Sequence, residues 1–169
     1  MMKSKQQLTN TTNSMVANKK ENKLVMWVCF LAYLLLLVYV VFFSPVFGRA
    51  DQSVYRYNLT LFHEIGRYYG VGIRTGSWNL FWLNVVGNIC VFVPWGVFLP
   101  KLFEKCRKLP LVLLLSFELS LVVEIIQLIM RVGCFDVDDL LLNTIGGILG
   151  YLVYKLLFVM ARLFAKKSG

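Results

Sequence analysis

An all-α, polytopic membrane helix bundle is the fold class this sequence predicts: four transmembrane helices with an outer interfacial or re-entrant helical loop. Three observations predict it. Of 169 residues, 58% are hydrophobic and only 16% are charged, whereas a soluble domain is about half apolar and about a quarter charged. The apolar residues are segregated into four runs, Leu24–Phe43, Leu80–Leu99, Pro110–Met130 and Leu140–Ala161. At about 1.5 Å per residue, each run crosses about 30 Å of hydrocarbon. The runs do not alternate in polarity, which excludes a transmembrane β-barrel.

The runs leave no room for a soluble domain. Residues 24–164 are expected to form one membrane domain, between a basic tail at 1–23 and a short basic tail at 165–169. The first run follows a basic stretch, as a signal peptide does. Its apolar core is about twice the usual length, so it reads as a retained anchor.

The formal net charge is +9, but the position of each charge matters more than the sum. Lys3, Lys5, Lys19, Lys20 and Lys23, the 101–109 connection with Lys101, Lys105, Arg107 and Lys108, and the end with Arg162, Lys166 and Lys167 share one side of a four-span protein. The other side balances Arg49, Arg56, Arg67, Arg74 and Arg131 against Asp51, Glu64, Asp136, Asp138 and Asp139, and has no lysine. The positive-inside rule then places both termini in the cytoplasm of a multi-pass cell-membrane protein. The basic tails meet membrane lipids rather than nucleic acid. Four dispersed cysteines, Cys29, Cys90, Cys106 and Cys134, form no CxxC pair, and Cys134 is the thiol expected to be most accessible from outside. His63 is the only histidine, so no His-based metal site is expected, and no cofactor is indicated.

The 44–79 connection is long, and it is patterned. Leu61, Phe62, Ile65, Tyr68 and Tyr69 share one helical face. An interfacial or re-entrant helix is expected over 58–69, ended by Gly70 and Gly72 and packed over the outer mouth. In the second run, Asn84 and Asn88 are four apart on one face, and Pro94 should kink the helix. In the fourth, Gly146 and Gly150 have the small-xxx-small spacing of close helix contacts.

The third run carries the main clue. Its fourteen Leu, Ile, Val or Phe residues favour insertion by about 4 to 8 kcal/mol. Each ionised acid near mid-membrane opposes that by about 2.5–3.5 kcal/mol. Glu118 and Glu124 therefore need a reason to be there. Glu124, Gln127 and Arg131 follow one stripe, with Ser120 a turn below, and Asp136, Asp138 and Asp139 come next in a short loop. Asp139 and Asn143 are i, i+4 at the start of the fourth helix. These groups, with Asn84 and Asn88, are expected to line an acid-rich pocket open to the outside. Interhelical hydrogen bonding is the alternative role for the asparagines. Glu118 faces another direction, and the sequence assigns it no partner.

The stretch Ser120, Glu124, Gln127, Arg131, Asp136, Asp138, Asp139, Asn143, Gly146, Gly147, Gly150 resembles the VanZ-like family of small bacterial membrane proteins, as does Asn84, Gly87, Asn88, Phe92, Pro94, Gly96 upstream. Arg49 matches that family's arginine after the first helix. Asn58, Leu59, Thr60, Leu61, Phe62 resembles its N-L-x-P-F element, with Leu61 where proline is usual. The resemblance covers about 24–160 and implies an association with resistance to glycopeptide antibiotics, teicoplanin above all, in Gram-positive bacteria. It implies no biochemical activity.

Two functional readings follow. In the first, the protein acts at the outer leaflet on a cell-wall or lipid-linked component and contributes to antibiotic tolerance. Its binding residues are then Arg49, Asn84, Asn88, Gln127, Arg131, Asp138 and Asn143. In the second, it is a membrane-embedded enzyme on a lipid-linked or phosphate-containing envelope substrate. Glu124, Asp136 and Asp139 are then the catalytic candidates, as an acid/base pair or as oxygen ligands for a divalent cation. A transporter ranks last, because the polar groups are confined to one side.

Overall fold

A computed structural model describes residues 23–44 and 54–167, with side chains as far as 164. Arg49, Asp51 and most of the basic tails lie outside the described residues. Among the described residues, four helices are long and apolar enough to cross a membrane: α1 (Lys23–Phe43), α3 (Asn79–Leu102), α4 (Leu109–Met130) and α5, whose apolar span is Val137–Phe164 and whose helix runs to Lys167. A shorter helix, α2 (His63–Thr75), lies between α1 and α3.

Residues up to Leu36 form one unit and Leu37 onward a second. The first unit is helical from Lys23, and along it Phe30 meets Trp27 edge-on at 6.0 Å and stacks with Tyr33 at 6.4 Å. Near its start, the second unit contains the π-helical last turn of α1, Tyr39–Phe43, which closes at Ser44 in extended geometry.

The second unit is organised around α5 lying against α3 and α4. Glycines allow this. A Cβ on Gly146 would run into the Ile89 carbonyl, one on Gly150 into the Val93 carbonyl, and one on Gly96 into the Gly147 carbonyl. On the α4 side, a Cβ on Gly147 would overlap Ser116. The small-xxx-small spacing is thus one half of a two-sided contact in which Gly96 is the other half. A core of Leu99, Cys106, Val112, Tyr151 and Tyr154 fills the end beneath it. There the Tyr151 hydroxyl donates to the Arg107 carbonyl at 2.8 Å, pinning the basic turn Glu104–Arg107 to α5.

Both ends of α2 differ from expectation. α3 runs through Pro94 and Pro100, and near its start it contains a π-helical segment, Trp82–Val86. α2 starts at 63 rather than 58 and continues past Gly70 and Gly72 to Gly76, where φ is 71°. At Gly72, Trp78 folds back onto the helix and leaves no room for a Cβ. Residues 57–58 are instead a short strand, β1 (Tyr57–Asn58), parallel to β2 (Phe135–Asp136).

Gly150→Val forces a branched side chain into the Val93 carbonyl, and overpacking of this kind costs about 1–3 kcal/mol or more. The purified variant should melt well below the wild type. Gly66→Ala, at a position with nothing within 4 Å, should melt at or slightly above the wild-type temperature.

Candidate functional site

The site is built from the turn that joins α4 to α5. α4 ends at Arg131, whose φ of 55° reverses the chain. The chain then extends through β2, and the Asp136 amide donates to Glu124 Oε2 at 2.9 Å. Asp136 Oδ1 accepts the Asp138 amide at 2.9 Å and Asn58 Nδ2 at 3.0 Å. Burial pushes the Asp136 carboxyl up from its ordinary pKa, with Asp138 and Glu64 adding repulsion, while these two hydrogen bonds pull it down.

Asp138 performs a separate task. A helix starts with amides that have no partner within it, and Phe62, which precedes α2, supplies no side-chain cap. Asp138, at 1% exposure, fills that role from α5. Its Oδ1 accepts the Phe62 amide, and its Oδ2 accepts those of Glu64 at 2.9 Å and Ile65 at 3.1 Å. A carboxylate is the favoured partner at a helix N-terminus. On α2 itself, Glu64 pairs with Arg67, whose guanidinium lies 4.6 Å from the Tyr68 ring centroid. Burial, with Glu64 next in size, pushes the Tyr68 hydroxyl up to about 12; Asp139 and Asp136 also raise it. α2 therefore sits beside the start of α5.

Below this lies one cavity, lined by Asn88, Glu124, Gln127, Asp139 and Asn143, with Val41, Phe92 and Val123 among its apolar walls. The centre of a water molecule can occupy about 10 Å³ of it, which is room for about one water. Asn88 Nδ2 donates to Asp139 Oδ1, and Asn143 Nδ2 donates to Ser120 Oγ at 2.9 Å. Gln127 Nε2 donates to the Val41 carbonyl at 3.0 Å. Gln127 is 1% exposed, and among the described residues its Oε1 has no hydrogen-bond partner. A buried orphan acceptor is costly and marks a place for a donor.

The structure thus brings together five of the residues expected at the pocket and places the other described ones elsewhere. Asp136 and Asp138 stand above the cavity in the turn. Asn84 bonds to the Leu80 carbonyl of its own helix at 2.9 Å. Arg131 lies over the Tyr55 ring, 4.5 Å from its centroid, and its Nη2 is 3.3 Å from the Tyr55 hydroxyl. Arg49 lies outside the described residues. Cys134 is half-buried, and burial pushes its thiol up. Among the described residues, no group of three or more His, Cys, Asp or Glu side chains is arranged to hold a metal ion. Sequence reasoning did not select Val41 or Asn58 as site residues. Val41 contributes a main-chain carbonyl, which no side-chain pattern announces; Asn58 was visible within the family element.

Asp138→Ala should release the start of α2. Loss of a cap costs about 0.5–2 kcal/mol, so amide exchange over 62–66 should quicken by about twofold to thirtyfold. Amides in the centres of α3 and α5 should keep their protection. Unchanged exchange at 62–66 would exclude the capping role.

The model of the VanZ/LLP1 family matches residues 30–159. Protein VanZ of Enterococcus faecium is 31% identical over 130 residues, spanning 73% of this chain and 70% of the relative. No solved structure matches. The polar stretch from Ser120 to Asn143 and the glycine contact of α3 with α5 both lie inside the matched region, and the chain belongs to the VanZ/LLP1 family.

Proposed function

We propose that this membrane protein contributes to tolerance of teicoplanin-type glycopeptides by engaging a cell-wall or lipid-linked component at the outer leaflet through its polar cavity. The observation that carries this reading is the convergence of Asn88, Glu124, Gln127, Asp139 and Asn143 on one buried space, with Gln127 Oε1 left without a donor. A site of this size and acceptor content favours a small donor group, an amine or hydroxyl of an envelope component, rather than a whole headgroup. Family membership supports the resistance role. The charge distribution supports the orientation: the lysine-bearing connection at 101–108 in the cytoplasm, and the acidic turn outside.

A deletion strain should become more sensitive to teicoplanin, and the wild-type gene should restore tolerance. Glu124→Gln keeps an acceptor for the Asp136 amide while removing the charge. This variant and Asp139→Asn should accumulate normally and fail to restore tolerance. Full tolerance in both at wild-type abundance would reduce the cavity to packing.

Orientation is tested separately. In a background lacking the native cysteines, Glu104→Cys should resist an impermeant thiol reagent in intact cells, whereas Thr60→Cys should react. The reverse pattern would turn the protein over and remove the outer-leaflet reading.

A further inference from the structure

The polar cavity divides its hydrogen-bonding groups unevenly. Its ten lining residues, from Val40 to Asn143, all fall in the unit that begins at Leu37, so the cavity is formed within that unit. Three of them are amides, and each turns its nitrogen to a protein acceptor: Gln127 to the Val41 carbonyl, Asn143 to Ser120 Oγ and Asn88 to Asp139 Oδ1. The oxygens of these amides and the carboxyl groups of Glu124 and Asp139 are what the lining offers an occupant. Gln127 Oε1 is the clearest case: the residue is buried, and among the described residues this atom accepts nothing. None of the ten lining residues is Lys, Arg or His. Glu124, Gln127 and Asn143 are buried, whereas Val40 and Val91 are part-exposed. The lining that reaches the surface therefore includes two aliphatic side chains.

We propose that the occupant is a primary ammonium on an aliphatic stem, the charged end of an amine-bearing envelope component. The proposal rests on the reading of the cavity as the binding site, and it names the group that this reading left as amine or hydroxyl. An ammonium brings three N–H donors where a hydroxyl brings one. It also brings charge. Carboxyl groups inside a low-dielectric bundle are best met by a cation, and nothing in the lining supplies one. The ammonium nitrogen takes about the space of a water molecule, which is what the cavity holds, and its stem then passes the valines. A quaternary ammonium is too large for that space and has no N–H for Gln127 Oε1. A bare metal ion finds no group of three or more His, Cys, Asp or Glu side chains among the described residues and makes no use of the valines. Gln127 thus selects for a donor, and Glu124 with Asp139 selects for charge.

The full chain is purified in detergent micelles and melted in increasing methylammonium chloride, with tetramethylammonium chloride holding the ionic strength constant. Methylammonium should raise Tm along a binding curve, because a ligand of the folded state stabilises it by mass action. Sodium chloride or methanol in its place should bind about tenfold more weakly or worse. Glu124→Gln, which keeps an acceptor for the Asp136 amide, and Gln127→Met, which removes the unpartnered oxygen at similar length, should each weaken methylammonium about tenfold, each judged against its own ligand-free Tm. Asp139→Asn carries the same expectation and decides the matter if Gln127→Met does not fold. No shift beyond the salt control would leave a cavity that takes water only. An equal shift with sodium would make it a bare-cation site, and an equal shift with methanol a hydroxyl site. An undiminished shift in the folded variants would put the amine elsewhere. Each of these results overturns the proposal. The tolerance assays on Glu124→Gln and Asp139→Asn judge the underlying reading separately. Lost tolerance without methylammonium binding removes the ammonium and keeps the cavity's role, whereas binding with full tolerance keeps the ammonium and removes the role in resistance.

Discussion

The polar end of this protein depends on how closely two backbones approach. α3 and α5 meet where Gly146 and Gly150 lie against the carbonyls of Ile89 and Val93, with Gly96 seated against Gly147. Asn88 is the residue before Ile89, and Asn143 is three residues before Gly146. Asp139 lies two turns from that glycine on the same side of α5. Contact at the glycines therefore sets the distance across which Asn88 reaches Asp139. It also carries Asn143 to Ser120 on α4. Side chains larger than hydrogen at these positions would widen the gap and separate donors from acceptors that were paired in a medium without water.

Above that contact, the connection between α4 and α5 satisfies backbone groups belonging to other elements. Glu124 holds the amide of Asp136, Asp136 holds that of Asp138 and the side chain of Asn58, and Asp138 holds the first amides of α2. The carboxylates that look like an acid cluster in the sequence are each committed to N–H groups. This division explains how so many acids tolerate burial, and among the described residues it leaves Gln127 Oε1 as a buried side-chain acceptor without a donor.

Much of this was legible in the sequence, for physical reasons. Apolar runs of about twenty residues have few alternatives to spanning, and a stripe such as Glu124–Gln127 keeps its meaning because α4 is regular through it. Legibility failed where the helix departs from regularity or where the partner is remote. The π-helical segment Trp82–Val86 alters the rotation between Asn84 and Asn88, so spacing four no longer means one face. Arg131 was placed on the stripe by counting, but it sits in the left-handed residue that ends α4 and turns onto Tyr55 instead. The start of α2 is fixed by Asp138, 74 residues from Glu64, so no local signal marks it. The two-residue strand pair follows the same rule, since neither segment has a strand pattern of its own.

The Val41 carbonyl has a consequence for how the chain is made. It lies in the last turn of α1, where carbonyls have no partner further along the helix, and Gln127 supplies one. Asp138 does the equivalent for the first amides of α2. Both side-chain partners, the Gln127 donor and the Asp138 acceptor, come from the second half of the sequence, while the segments they serve emerge from the ribosome early. The early segments must therefore wait, with polar groups unsettled, until the last hairpin is synthesised. A product that stops before Asp138 lacks the carboxylate that accepts the first amides of α2. The partners of both early segments are present only once Asp138 has been made.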